Sequence, residues 1–146
     1  MFAYPVKEIE NIYTGEHNWN NLKIEPGVIR LSEVDDELLD INAEFFLGDA
    51  EEFGFIINGQ DITYNTKNNQ LYTDDVSAAL NPENGKIRLR ILVDRVSIEI
   101  FANDGKVYMP VKAIYSKEEK GVKIFTKGSN TTINSLKVNQ LKSIWN

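Results

Sequence analysis

The feature that most narrows what this chain can fold into is the spacing of its apolar residues. They recur at every second position in short runs, and the runs are broken by Asn, Asp and Gly. Period two puts alternate side chains on opposite faces of a strand, whereas a helix needs a period near 3.6. Candidate strands cover residues 27–32, 38–47, 53–57, 60–65, 70–73, 87–93, 96–102, 106–115, 122–126 and 132–141. Asn58-Gly59, Asn84-Gly85 and Asp104-Gly105 lie between runs and tolerate the positive φ that tight hairpins require. Residues 53–75 therefore read as a meander of three short antiparallel strands. Ten strands predict an all-β fold, a two-sheet antiparallel β-sandwich of the jelly-roll or concanavalin-like type. Only residues 6–13, with Val6, Ile9 and Tyr13 along one face, suit a turn or two of helix. With no internal repeat or low-complexity tract, the expected organisation is a linker-like segment over 1–12 and a single sandwich over 13–146.

A chain of 146 residues can bury about 70% of the surface its unfolded form exposes, enough for one ordinary core. It has no cysteine, which excludes disulfides and thiolate metal sites. The formal charge of -6 argues against nucleic acid or an acidic membrane surface as partner and favours an uncharged ligand. No apolar run approaches the roughly 18 residues of a membrane span, and the start, Met1-Phe2-Ala3-Tyr4-Pro5, lacks the pattern of a signal peptide.

The most informative stretch, residues 89–105, is two strand pieces interrupted by the charged pair Asp94-Arg95. In the second piece Val96, Ile98 and Ile100 share the expected core face, and Ser97, Glu99 and Phe101 face solvent or a groove. The order Asp94, Arg95, Ser97, Glu99, Phe101, Asn103, Gly105 resembles the C-terminal sandwich of glycoside hydrolase family 32, the invertases, levanases and inulinases. It is also similar to the fructan-binding carbohydrate-binding module family 66. Tyr4 to Ile9 resembles the linker leaving that family's catalytic propeller, and residues 38–46, Ile62-Thr63-Tyr64-Asn65 and residues 136–145 also fit. Asp74-Asp75 and Asn65 depart from the family, which often has Asp-Arg and Asp at these places.

The resemblance implies a non-catalytic module. The family's nucleophile, Arg-Asp-Pro and Glu-Cys motifs belong to an N-terminal propeller, and none occurs in this sequence. Fructan polysaccharide or fructo-oligosaccharide is then the implied ligand, an adjoining propeller the implied partner, and the outside of the cell the implied location. The resemblance calls for no cofactor. A structural accessory domain that binds no sugar is the alternative.

Asp94, Arg95 and Glu99 are the leading site candidates, because carboxylates accept from adjacent sugar hydroxyls and a guanidinium donates in a fixed fork. They can equally be a structural ion pair and a solvated carboxylate. Glu44 joins them, since Asn42, Glu44 and Phe46 oppose the apolar Ile41, Ala43 and Phe45, and a carboxylate there needs a sugar or a cationic partner. Among aromatic residues that could face a sugar ring, Tyr64 leads by its match to a family tyrosine, ahead of Tyr72 and Trp19; Trp145 is expected to anchor the last strand. Asp49 with Glu51-Glu52, and Asp74-Asp75, read as acidic turns, for neither has the spacing of a calcium loop. His17, the single histidine, falls in a stretch, residues 15–21, read as a polar loop. No metal site is expected.

Overall fold

A computed structural model describes residues 13–31, 38–115, 119 and 121–141. The linker-like segment, the possible helical turn before Tyr13 and Trp145 lie outside the described residues. Twelve strands are described: β1 (Tyr13–Ile24), β2 (Gly27–Leu31), β3 (Leu39–Phe46), β4 (Glu52–Ile57), β5 (Gln60–Asn65), β6 (Gln70–Thr73), β7 (Val76–Ala79), β8 (Lys86–Val93), β9 (Ser97–Ala102), β10 (Val107–Lys112), β11 (Val122–Lys127) and β12 (Thr131–Leu141). They form two antiparallel six-stranded sheets. The first runs β1-β12-β3-β8-β9-β10 and the second β2-β11-β4-β5-β6-β7. This is the all-β sandwich that the apolar alternation predicts.

Alternation builds the core directly. Ile41, Ala43 and Phe45 of β3, and Ile87, Leu89 and Ile91 of β8, point inward from the first sheet; Phe53, Phe55 and Ile57 of β4, and Ile62 and Tyr64 of β5, point inward from the second. The sheets meet through aromatic rings: Phe45 stacks on Phe53 at 4.6 Å between centroids and meets Phe55 edge-on at 5.6 Å. Burying one such side chain contributes about 1.5–3 kcal/mol. The turns follow the sequence reading, with Asn58-Gly59 at φ 49° and 86° closing the β4–β5 hairpin. At Gly54 in β4 the constraint is contact, since a Cβ there would lie 1.9 Å from the Ile62 carbonyl oxygen.

Three expectations need correction. The stretch containing His17 is strand β1, paired with β12 along most of its length, and not a loop. Its outward residues Glu16, Asn18 and Asn20 are exposed, its inward His17 and Trp19 half-buried, and Asn21 at φ 52° interrupts the alternation. Strand β7 is also absent from the expected strands, because Val76-Ser77-Ala78-Ala79 is a four-residue, largely exposed edge strand, too short to show an alternation of apolar and polar residues. Val96 is 72% exposed instead of buried, since it lies in the turn before β9 begins. Ile98 and Ile100 are in the core as the alternation predicts.

Candidate functional site

The outward face of the first sheet carries most of the polar side chains singled out above, and strand register arranges them in rows. One row crosses all six strands as Asn18, Lys137, Asn42, Arg90, Phe101 and Tyr108. Beside it lie Glu16, Asn139, Asp40, Leu92, Glu99 and Pro110 on one side, and Asn20, Ser135, Glu44 and Arg88 on the other. Between β1 and β9 the face sinks into an open depression of about 290 Å³, lined by Asn18, Asn20, Asn42, Glu44, Arg88 and Phe101 among others.

Most of its charges are paired within the face. Arg90 donates from Nε to Asp40 Oδ1 at 3.0 Å and from Nη2 to Oδ2 at 2.7 Å, a forked pair in which Asp40 is fully buried although its strand position faces outward. Asn42 adds a third hydrogen bond to Asp40 at 3.3 Å. Arg88 Nη2 spans Glu83 at 3.0 Å and Asp104 at 2.6 Å, and Lys106 also pairs with Glu83. Lys137 pairs with Glu16 at 3.2 Å. Glu44 Oε1 accepts from Asn134 Nδ2 at 2.9 Å and lies 3.6 Å from Lys86 Nζ. The amide hydrogen bond, and then the lysine charge, hold the Glu44 carboxyl below its ordinary range.

The five predicted residues do not form one cluster. Glu44 lines the depression. Glu99 is on the same outward face but on β9, where it accepts the Tyr108 hydroxyl at 2.6 Å. Asp94 and Arg95 are exposed in the β8–β9 turn, with Asp94 Oδ1 accepting the Arg95 backbone N–H at 2.6 Å and the Asp94 carbonyl accepting the Tyr115 hydroxyl. Tyr64 is in the interior. It is 0% exposed, its hydroxyl donates to the Leu80 carbonyl at 2.7 Å and lies 3.1 Å from Asn69 Oδ1, and burial pushes its hydroxyl pKa up to about 12. A ring packed 5.5 Å from Phe53 presents no face to a sugar. Trp19 packs against the core from β1, and the Tyr72 hydroxyl donates to Glu52 on the other sheet.

Sequence reasoning missed Asp40, Arg88, Arg90 and Tyr108. A signal existed for the arginines, since Arg88 and Arg90 alternate with Ile87, Leu89 and Ile91 and so had to face outward together. Among the described residues no group of three or more His, Cys, Asp or Glu side chains is placed to hold a metal ion.

The model of the family described as "Glycosyl hydrolases family 32 C terminal" matches residues 8–140. The chain belongs to that family. This family 32 C-terminal domain is 33% identical over 165 residues to a levanase of Bacillus subtilis (strain 168), covering 97% of the chain and 24% of the levanase. A levanase of Bacillus sp. (strain L7) is 32% identical over 129 residues, covering 73% of the chain and 14% of that enzyme. The chain thus spans a quarter or less of the curated relatives it matches. Solved structures share the fold at lower identity. The exo-inulinase of Aspergillus awamori superposes with a TM-score of 0.80 at 17% identity, covering 99% of this chain and 33% of that one. Fructan 1-exohydrolase IIa of Cichorium intybus gives 0.80 at 19%, covering 97% and 38%.

Proposed function

We propose that this domain is a non-catalytic fructan-binding module. It takes the terminal fructosyl unit of a levan-type chain on the outer face of its first sheet and so keeps polysaccharide near an attached catalytic propeller, outside the cell. The observation that carries the reading is the depression itself: an open hollow whose lining includes three asparagine amides, the carboxylates of Glu44 and Asp104, the guanidinium groups of Arg88 and Arg90 and the Lys137 ammonium, each of these charges paired with an opposite one on the face. Such a hollow offers a neutral polyol both donors and acceptors without stranding a charge. The names of the relatives, levanases among them, supply the fructan part. Glu44 contacts hydroxyls in the depression, while Glu99 holds the Tyr108 hydroxyl beside it, and Asp94 and Arg95 lie outside the depression in the β8–β9 turn. Calorimetry with levan, inulin and sucrose tests the reading. Levan should bind with Kd between about 1 mM and tens of micromolar, and Glu44→Ala should weaken it. No heat with any fructan overturns the proposal.

A second reading, that the domain supports the propeller mechanically, is favoured by the opposite surface. Across the second sheet the outward row is Val28, Phe125, Gly54, Thr63, Tyr72 and Ser77, with Val28 57% exposed. Val28→Asp should lower the unfolding temperature of the full-length enzyme while leaving that of the 146-residue chain unchanged. Equal shifts in both would remove this reading.

A further inference from the structure

Tyr108 is an exposed aromatic residue on the outward face of the first sheet. It is 43% exposed on β10, the edge strand of the first sheet. Its ring stacks on Phe101 at 4.8 Å and 29°, and its hydroxyl is tied to Glu99 at 2.6 Å. An exposed ring fixed from beneath and at its tip has little rotational freedom left to lose when a ligand lies on it. Tyr108 also ends the row that starts at Asn18 and passes through the depression. With strands about 4.8 Å apart, that row is about 24 Å long. It begins in amides, continues through Lys137 and Arg90, which are paired with Glu16 and Asp40, and finishes on stacked aromatic rings. Along it the charged side chains have opposite charges beside them, so the matching partner is an uncharged, hydroxyl-rich chain and not an ionic polymer.

We propose that this row is a track for an extended neutral oligosaccharide running across the strands, with the chain's terminal unit in the depression and a later sugar ring on Tyr108. The assignment rests on the fructan-binding reading and goes beyond it by giving the ligand a direction, a length and a second contact. Glu99 is then a positioning residue that acts through Tyr108.

A chain-length series tests it, using the 146-residue chain and β-2,6-linked fructo-oligosaccharides from the disaccharide upward. Affinity should rise by about tenfold between the disaccharide and chains long enough to reach β10. Tyr108→Ala should abolish that rise and leave disaccharide affinity unchanged, while Tyr108→Phe, which keeps the ring, should retain most of it. NMR on the wild-type chain provides a readout independent of any variant's folding: long chains should shift the Tyr108 ring resonances and the disaccharide should not. An affinity that stays flat with length, or Tyr108 resonances unmoved by long chains, overturns the track and leaves terminal-unit recognition standing. Absence of binding at every length overturns both. Length-dependent, Tyr108-dependent binding of a neutral glucan or xylan alone supports the track and overturns the fructan assignment.

Discussion

The central outward row of the first sheet reads Asn18, Lys137, Asn42, Arg90, Phe101, Tyr108; that of the second reads Val28, Phe125, Gly54, Thr63, Tyr72, Ser77. Both rows cross six strands of one sandwich and cap the same core. The first is hydrogen-bonding and charged, and it spends buried ion pairing on a face that apolar residues would cover at less cost. The second is short of charge at its centre and has a glycine where a side chain would otherwise stand. A sheet face needs only one property to stay soluble, which is polarity. The forked Asp40–Arg90 pair and the fixed Tyr108 exceed that need, which is the physical reason to look for ligand on the first face and protein on the second.

The difference can be broken at its centre on either side. Gly54→Val should have the largest effect, a loss of folding or a destabilisation of about 4 kcal/mol or more, because the added Cβ meets backbone of β5 that cannot swing away. Circular dichroism and thermal melting check this. Asp40→Ala should cost about 3–5 kcal/mol by leaving the Arg90 charge buried with its main partner gone. Denaturant unfolding of Asp40→Leu combined with Arg90→Met should recover most of that loss. If the double variant is as unstable as the single one, the pair is a packing element, and the contrast between the faces loses its electrostatic basis.

How much of this was legible beforehand depends on which signal each residue carries. Ile41, Phe45, Ile91 and Ile100 announced their strands through alternation, and Asn58-Gly59 announced its hairpin through backbone conformation, both local properties. Edge strand β1 was illegible for the same physical reason: an edge strand with a polar outer face needs few apolar residues, and Asn21 breaks the period. The site was legible in part. Glu44 stood out as a carboxylate on an otherwise core strand, and its place in the depression follows from β3 being central. Asp40 and Arg90 are 50 positions apart, and only the β3–β8 register brings them together. Tyr64 shows the limit of reading a tyrosine as a surface aromatic. Position two on a strand says which face a side chain takes, but not whether the other sheet covers it.

Tyr64→Phe is the next smaller test. Removing its hydroxyl leaves the buried Leu80 carbonyl without that donor and should cost about 1–3 kcal/mol with no change in sugar affinity. A matching loss of affinity would return Tyr64 to the site and blur the distinction between core and binding face.

The smallest effect is a titration that separates the faces by sign. Glu44, on the first face, has its pKa lowered by Asn134 and Lys86. Asp61, on the outward side of β5, has its pKa raised by burial and by the charges of Asp74 and Glu119. A lowered folded-state pKa means that Glu44 contributes stability above its unfolded pKa and loses it as pH falls through the folded value. A raised one means that Asp61 gives its contribution below the unfolded pKa and loses it as pH rises through the folded value. Carboxyl resonances followed by NMR should therefore show Glu44 titrating below the ordinary glutamate range and Asp61 above the ordinary aspartate range. Glu44→Gln should flatten the acid limb of the stability curve, and Asp61→Asn should raise stability near neutral pH. A Glu44 carboxyl titrating at or above the ordinary glutamate range would mean that the polar face is merely solvated, with no donors arranged around Glu44 for a sugar to replace.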